Sequence, residues 1–317
     1  MPQIERPSMA SSNVTSEAGS RSHAAGPSGR APDPVHAATG ATGVTAVTGV
    51  TGSEAAASRL HADGVTLGYE HRLISEGLTV RIPDDSFTVI VGPNACGKST
   101  LLRALARLLK PAAGAVVLDG RSIHERKAKA FAREVGLLPQ TSLAPDGIVV
   151  ADLVSRGRYP HQGLVRQWSQ DDARAVADAL DATNTTELST RLVDELSGGQ
   201  RQRVWVAMAL AQETPVLLLD EPTTFLDIAH QIGLLELFRK LHASGRTLVA
   251  VLHDLNHAAR YATHIIAMKD GRVVAEGSPR DIITPELVRE VFDLDCVVIS
   301  DPVTGSPLVV PLGTAAA

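Results

Sequence analysis

Apolar positions along the chain follow two rhythms. Phe87–Val91 reads FTVIV, five apolar or β-branched residues in a row, the pattern of a strand buried on both faces. A glycine-rich stretch follows, and then Leu101, Leu102, Leu105, Leu108 and Leu109 recur at helical spacing. They predict a helix with one apolar face, stopped by Pro111 and Gly114. Val216–Leu219 is a second buried-strand run, and Ile228, Ile232, Leu235, Phe238 and Leu241 mark a helix after it. Thr247–Leu252 is a third strand. Ile265–Met268 and Val273–Ala275 flank Lys269-Asp270-Gly271-Arg272, a hairpin signal because Asp-Gly suits a tight turn. Strands alternating with helices predict an α/β fold with a mainly parallel sheet covered on both faces. Between about 141 and 195 the strand signals fade. Ala173, Val176, Ala177 and Leu180 there fit a helix, and the segment reads as a helical insertion without sustained heptads.

Composition changes this picture at the N-terminus. Residues 1–57 are rich in Ala, Gly, Ser, Thr and Pro, with a drifting VTG-like repeat from Thr39 to Gly52. Such a stretch has too few large apolar groups to offset its ordering entropy, and it is expected to be disordered. Order should begin near Leu60, giving a main domain over 58–300 and a C-terminal extension over 301–317. Aromatics make up only 3% of the 317 residues, so the core must rest on Val, Leu, Ile and Ala. The net charge of -5 leaves no basic footprint and argues against a nucleic-acid partner. Cys96 and Cys296 are too few and too far apart for a disulfide framework or a zinc spacing, which fits a reducing cytosol. There is no signal-peptide pattern and no run of about 18 apolar residues, so the chain itself is not expected to span a bilayer.

Three motifs carry chemistry. Gly92-Pro93-Asn94-Ala95-Cys96-Gly97-Lys98-Ser99-Thr100 matches GxxxxGK[ST] between a strand and a helix. The glycines let backbone N–H groups curl round phosphate oxygens, and the helix N-terminus adds partial positive charge. Lys98 supplies a point charge for the β- and γ-phosphates, and the Ser99 hydroxyl a ligand for Mg²⁺. Val216–Leu219 then ends in Asp220-Glu221. Asp220 would hold Mg²⁺, and Glu221 would polarise the attacking water as general base or positioner. Leu196-Ser197-Gly198-Gly199-Gln200 opens another helix. It reads either as a second anion-binding N-terminus or as a plain cap with Ser197 at the N-cap. A second phosphate clamp in a chain that already has one suggests a site built from two copies. Cys96 would be open to modification if the helix N-terminus lowered its pKa; otherwise it is a small loop residue. His253 and His257, four apart, match a zinc spacing, but no third ligand cluster accompanies them.

The order GPNACGKST, LSGGQ, LLLDEP resembles the nucleotide-binding subunits of ABC transporters, over roughly Leu60 to the C-terminus. That resemblance implies a P-loop NTPase of the ABC type, with an antiparallel β subdomain and a helical subdomain at about 141–195. It implies ATP and Mg²⁺ as ligands, with Ser99, Asp220 and Gln140 toward the metal. Tyr69 would stack on adenine; its alternative is a surface strand tyrosine. Gln140 matches the Q-loop, Asp227 the D-loop at a dimer interface, and His253 the switch histidine, so that Lys98, Gln140, Glu221 and His253 form the catalytic set. Finer strings, Gly157–His161, Gln200–Trp205, Leu252–Asn256 and Asp301-Pro302 to Pro311, resemble the ATPases of iron-complex importers, those for ferric siderophores above all. Haem and cobalamin importers use very similar ATPases and remain open. The implied partners are a second copy, an integral-membrane permease and, indirectly, an extracytoplasmic substrate-binding protein. The implied place is the cytoplasmic face of the membrane. Residues 156–168, with Arg156, Arg158, Tyr159, His161 and Trp168, are the candidate permease-facing surface. A soluble DNA-repair or ribosomal ABC ATPase would need long coiled coils or a second cassette. A non-catalytic regulator would not need the catalytic set, and an exporter half would carry its own membrane helices.

Overall fold

The computed structural model describes residues 58–69, 72–140, 143–163, 168–224 and 226–313. The segment expected to be disordered, 1–57, lies outside the described residues. No described helix is long and apolar enough to cross a membrane.

The chain opens with β1 (Leu60–Tyr69) and β2 (Arg72–Ile82), which pair antiparallel, and then enters β3 (Phe87–Val91). The P-loop leads into α1 (Lys98–Leu105). This helix ends earlier than its leucine pattern predicts. Arg107 takes a left-handed φ of 63°, the Leu108 amide donates to the Arg103 carbonyl at 2.9 Å, and the Arg107 amide donates to that of Ala104 at 3.1 Å. Those two bonds form a Schellman closure, which satisfies the last carbonyls four residues before Pro111. Leu108 is consequently 67% exposed rather than part of the apolar face. After α1 come β4 (Ala113–Leu118), β5 (Arg121–Ser122), α2 (Ala128–Ala132) and β6 (Val135–Leu138).

The helical insertion follows as α3 (Val150–Ser155), a 3₁₀ turn over Arg156–His161, α4 (Gln170–Ala182) and α5 (Gly198–Ala211). In α4 the buried face is Ala175, Val176, Ala179 and Leu180, whereas Ala173 and Ala177 are exposed. The helix expected from Ala173, Val176, Ala177 and Leu180 is present, with Val176 and Leu180 on its buried face; small alanines fit either face. The remaining elements are β7 (Val216–Asp220), α6 (Ile228–Ala243), β8 (Thr247–Val251), α7 (Leu255–Tyr261), β9 (His264–Lys269) and β10 (Arg272–Gly277). Then come α8 (Pro279–Ile282), α9 (Pro285–Phe292), β11 (Cys296–Ser300) and β12 (Pro307–Pro311). β11 and β12 form a hairpin, so the boundary expected at 301 falls at its turn.

The central sheet has the order β10-β9-β3-β8-β7-β6, parallel throughout except for the β9–β10 hairpin. A smaller antiparallel sheet runs β2-β1-β4-β5. Period-two alternation sorts the buried strands into two cores. Phe87, Val89, Leu217, Leu219, Leu248 and Ala250 face the helical side, where Phe87 meets Phe238 of α6 edge-on at 6.5 Å. Ile90, Leu218, Val249 and Ile266 face α1 and the antiparallel sheet. Both faces are therefore covered, one of them mainly by another sheet. The β9–β10 turn is the Asp-Gly turn expected, with Asp270 and Gly271 at φ 49° and 75°. A Cβ on Gly271 would collide with the Ile74 carbonyl, and its amide donates to the Cys96 carbonyl at 3.0 Å. The hairpin thus braces the P-loop.

Candidate active site

Four parallel strands deliver their loops to one edge of the central sheet. β3 ends in the P-loop, β8 in His253, β7 in Asp220-Glu221 and β6 in Gln140. This is the carboxyl edge, where open α/β sheets hold their ligands. Asn94, Ala95, Gly97, Lys98, Ser99 and Thr100 line a cleft of about 240 Å³ together with Tyr69, Arg72, Ile74, Glu221 and His253.

The P-loop conformation depends on its glycines. Gly92 has φ 153° and Gly97 φ 106°, and a Cβ on Gly92 would strike the Met268 carbonyl and the Cys96 sulfur. Pro93 contributes its carbonyl: Lys98 Nζ donates to the Gly92 oxygen at 2.9 Å and to the Pro93 oxygen at 2.8 Å. Lys98 is only 5% exposed, yet among the described residues no carboxylate pairs with it. A buried ammonium hydrogen-bonded only to neutral carbonyls, with the Asp220 carboxylate acting on it through space, is suited to an anion. Ser99 Oγ donates to Asp220 Oδ1 at 2.8 Å. Asp220 is 2% exposed; burial pushes its carboxyl above the ordinary range, and the Ser99 bond only partly offsets this. A half-buried hydroxyl bonded to a buried carboxylate beside the P-loop suits a hard divalent cation, so these residues fit Mg²⁺.

Glu221 adopts a left-handed φ of 52°, an uncommon conformation for a residue with a side chain. The turn carries its carboxylate into the cleft. Gln140 Nε2 donates to Glu221 Oε2 at 2.7 Å, and His253 Nε2 lies 2.8 Å from Oε1. The residues that the resemblance places beside the γ-phosphate therefore converge on one carboxylate. Tyr69, at the end of β1, is 42% exposed and borders the cleft, where its hydroxyl accepts from Arg103 at 3.2 Å.

Two expected groups lie elsewhere. Ser197 is the N-cap of α5: its Oγ accepts from the Gln200 amide at 3.3 Å, and Gln200 Oε1 accepts from the Ser197 amide at 3.0 Å. Leu196 is buried beneath them, while Gly198 and Gly199 open the exposed first turn. None of the five lines the cleft of its own chain. Asp227 N-caps α6, accepting from the His230 amide at 2.9 Å; Phe225 of the same string lies outside the described residues.

Of the two readings of Cys96, the structure supports the small loop residue: it is 4% exposed, and burial pushes its thiol upward despite the nearby Lys98, so it is not an activated thiol. One expectation is corrected. Arg158 and His161 do not face outward. Arg158, 4% exposed, donates to Asp172 at 2.8 Å and to Glu213 and the Ala211 carbonyl at 2.7 Å each. His161 reaches the Gln212 carbonyl at 2.8 Å. Tyr159 and Trp168 are exposed, and with Asp152, Ser155, Arg156 and Gln162 they line a surface groove of about 440 Å³. Residues 164–167 of that stretch lie outside the described residues.

Sequence reasoning missed Arg72 and Ile74, which carry no motif signal. It also missed Arg103, whose place one helical turn beyond Ser99 would have pointed to the same face.

Known proteins match this arrangement. Residues 75–224 match the ABC transporter family. The ferric enterobactin transport ATP-binding protein FepC of Escherichia coli strain K12 is 55% identical over 262 residues, 82% of this chain and 97% of that protein. The chain belongs to the ABC transporter family. Another member, the achromobactin transport ATP-binding protein CbrD of Dickeya dadantii strain 3937, is 52% identical over 78% of this chain and 93% of its own. Among solved ABC structures, a dimeric post-hydrolysis ATP-binding cassette bound to ADP and phosphate superposes with a TM-score of 0.62. It is 28% identical and covers 69% of this chain and 98% of its own. The ABC cassette here is an ATPase, and its P-loop, Asp220-Glu221 and His253 stand at one sheet edge.

Proposed function

We propose that this chain is the ATP-hydrolysing subunit of an importer for iron–siderophore complexes. It works as a homodimer on the cytoplasmic face of the membrane, beneath a separate permease supplied by an extracytoplasmic substrate-binding protein. The cargo reading rests on the 55% identity to a ferric enterobactin transport subunit. The chemistry rests on one geometric observation, the buried Lys98 ammonium that lacks a direct ion pair.

In this reading ATP phosphates take the P-loop amides and Lys98, while the adenine stacks on Tyr69. Ser99, Asp220 and Gln140 would hold Mg²⁺, which when bound neutralises phosphate charge. The Glu221 carboxylate, held between Gln140 and His253, orients the attacking water and takes its proton. The α5 N-terminus is filled only by its own capping box, so Ser197–Gln200 are presented to the γ-phosphate of a second copy, with Asp227 at the shared interface. ATP then joins two halves that neither copy completes. Swinging that equilibrium from 1:99 to 99:1 requires about 5.5 kcal/mol of differential affinity. The Tyr159–Trp168 groove on the helical insertion receives the permease and transmits the closure.

A deletion strain tests the cargo. It should fail to grow on ferric siderophores as sole iron source and grow normally on haem or with cobalamin as the limiting nutrient. Normal growth on every siderophore tried, with loss on haem or cobalamin, overturns the assignment.

A further inference from the structure

Two strings that the sequence treats as separate, Leu252–Asn256 and Asp301–Pro311, are joined in the fold. Asp254 N-caps α7 by accepting from the His257 amide at 2.8 Å, so the helix starts directly after His253. Asn256, in its first turn, reaches 53 residues along the chain to β12. Its Oδ1 accepts from the Val309 amide at 2.7 Å, and its Nδ2 donates to the Val309 carbonyl at 3.2 Å. The amide thus satisfies both backbone groups that β12 turns away from β11, as a neighbouring strand would. Val309 itself is 5% exposed and packs in one core with Ala258, Ala259 and Tyr261 of α7.

The hairpin is a firm anchor. The Asp301 carboxylate closes its turn by accepting from the Val303 amide at 2.8 Å and the Thr304 amide at 3.3 Å. Its base is tied by the Leu312 amide to the Asp295 carbonyl at 2.9 Å. Just before it, Lys269 at the end of β9 bonds the Glu290 carbonyl at 2.6 Å and Asp293 at 3.0 Å. The hairpin is therefore referenced to the central sheet, and Asn256 refers α7 to the hairpin.

We propose that Asn256 is a positioning residue for His253. By clamping the first turn of α7 to the C-terminal hairpin, it fixes where the chain leaves β8, and hence where the imidazole meets Glu221. This rests on the role proposed for His253. A small displacement of a group that orients a reacting site is costly in rate while leaving ground-state binding nearly intact.

The test compares wild type, Asn256→Ala and His253→Ala as purified full chains with MgATP. Asn256→Ala should lower kcat about tenfold, with KM for ATP within about twofold. Hydrogen exchange at residues 252–258 should quicken while that of the P-loop and β9 stays unchanged. Should Asn256→Ala not fold, the same split is read on Asn256→Asp, which keeps the acceptor for Val309 and drops the donor. An unchanged kcat, or a loss that merely tracks the folded fraction, overturns the inference. If His253→Ala stalls turnover and Asn256→Ala does not, only the positioning role fails. If His253→Ala retains full turnover, the role of His253 itself fails.

Discussion

Among the described residues, Arg158 and Lys98 are two cations buried to the same degree, 4% and 5% exposed, and they live in opposite surroundings. Arg158 has its partners inside the chain, the Asp172 and Glu213 carboxylates and the Ala211 carbonyl. Lys98 has two carbonyls and no carboxylate. Desolvating a charge is costly, so a fold keeps one buried only where something compensates it. For Arg158 the compensation is structural, and it ties the 3₁₀ turn at Arg156–His161 to α4 and the end of α5. For Lys98 the direct partners are neutral carbonyls, with the Asp220 carboxylate acting on it only through space, and the proposed compensating group is a ligand. Both residues stand in strings that resemble the family, yet one holds a subdomain together and the other is proposed to hold a phosphate.

The contrast can be sharpened by removing one element at a time. The largest effect is expected at Glu221, whose carboxylate is aimed by a strained turn and two hydrogen bonds. Glu221→Gln should lower ATP turnover about a thousandfold or more while retaining ATP binding, leaving an ATP-dependent dimer in size-exclusion chromatography. Normal turnover in that variant would remove Glu221 from the chemistry. Next is Arg158→Met, which strands Asp172 in the interior and should cost about 3–5 kcal/mol in denaturant unfolding, with ATP affinity per folded molecule unchanged. Burial raises the Asp172 carboxyl, but the bonds from Arg158 and Ser169 outweigh it, and its folded pKa is lowered. Its share of stability is therefore present above the ordinary Asp pKa and is lost as pH falls through the depressed folded value. Arg158→Met should lose that acid-labile share, and an identical acid profile in both proteins would contradict the ion-pair account.

Ser197 tests the middle ground. As an N-cap alone, Ser197→Ala should cost about 1 kcal/mol without nucleotide. As part of a shared site, it should also weaken the ATP-dependent dimer formed by Glu221→Gln. A dimer of unaltered affinity would leave only the cap. The smallest effect concerns Cys96. Its thiol is kept neutral and enclosed, so native Cys96 should react with iodoacetamide at pH 8 about tenfold or more slowly than in the denatured chain. Equal rates, read by peptide mass, would contradict the buried placement.

Much of this site was legible in the sequence because its chemistry is local. GxxxxGK[ST] and an acidic strand end each mark a loop and suggest a role, and the resemblance adds His253 after the third strand; the structure brings these loops to one sheet edge. The parallel sheet followed from FTVIV, VLLL and TLVAVL, which need burial on both faces. The misreadings came where local pattern was outvoted. Leu108 fits the α1 stripe, but the Schellman closure at Arg107 intervenes. Arg158 reads as a surface charge until its partner 14 residues away is seen folded against it. The Asn256–Val309 clamp was beyond reach for the same reason, since nothing local marks a bond across 53 residues.

The central claim is that Lys98 lacks a direct ion pair because ATP supplies it. Equilibrium ATP binding and the thermal midpoint of the nucleotide-free protein, measured together on Lys98→Ala and Arg158→Met, test this most directly. Lys98→Ala should lose ATP affinity by about a hundredfold or more, with an apo midpoint equal to or above wild type, because a buried charge without a direct ion pair has been removed. Arg158→Met should show the reverse. Wild-type ATP affinity in Lys98→Ala, or an apo midpoint that falls as far as in Arg158→Met, would contradict the account.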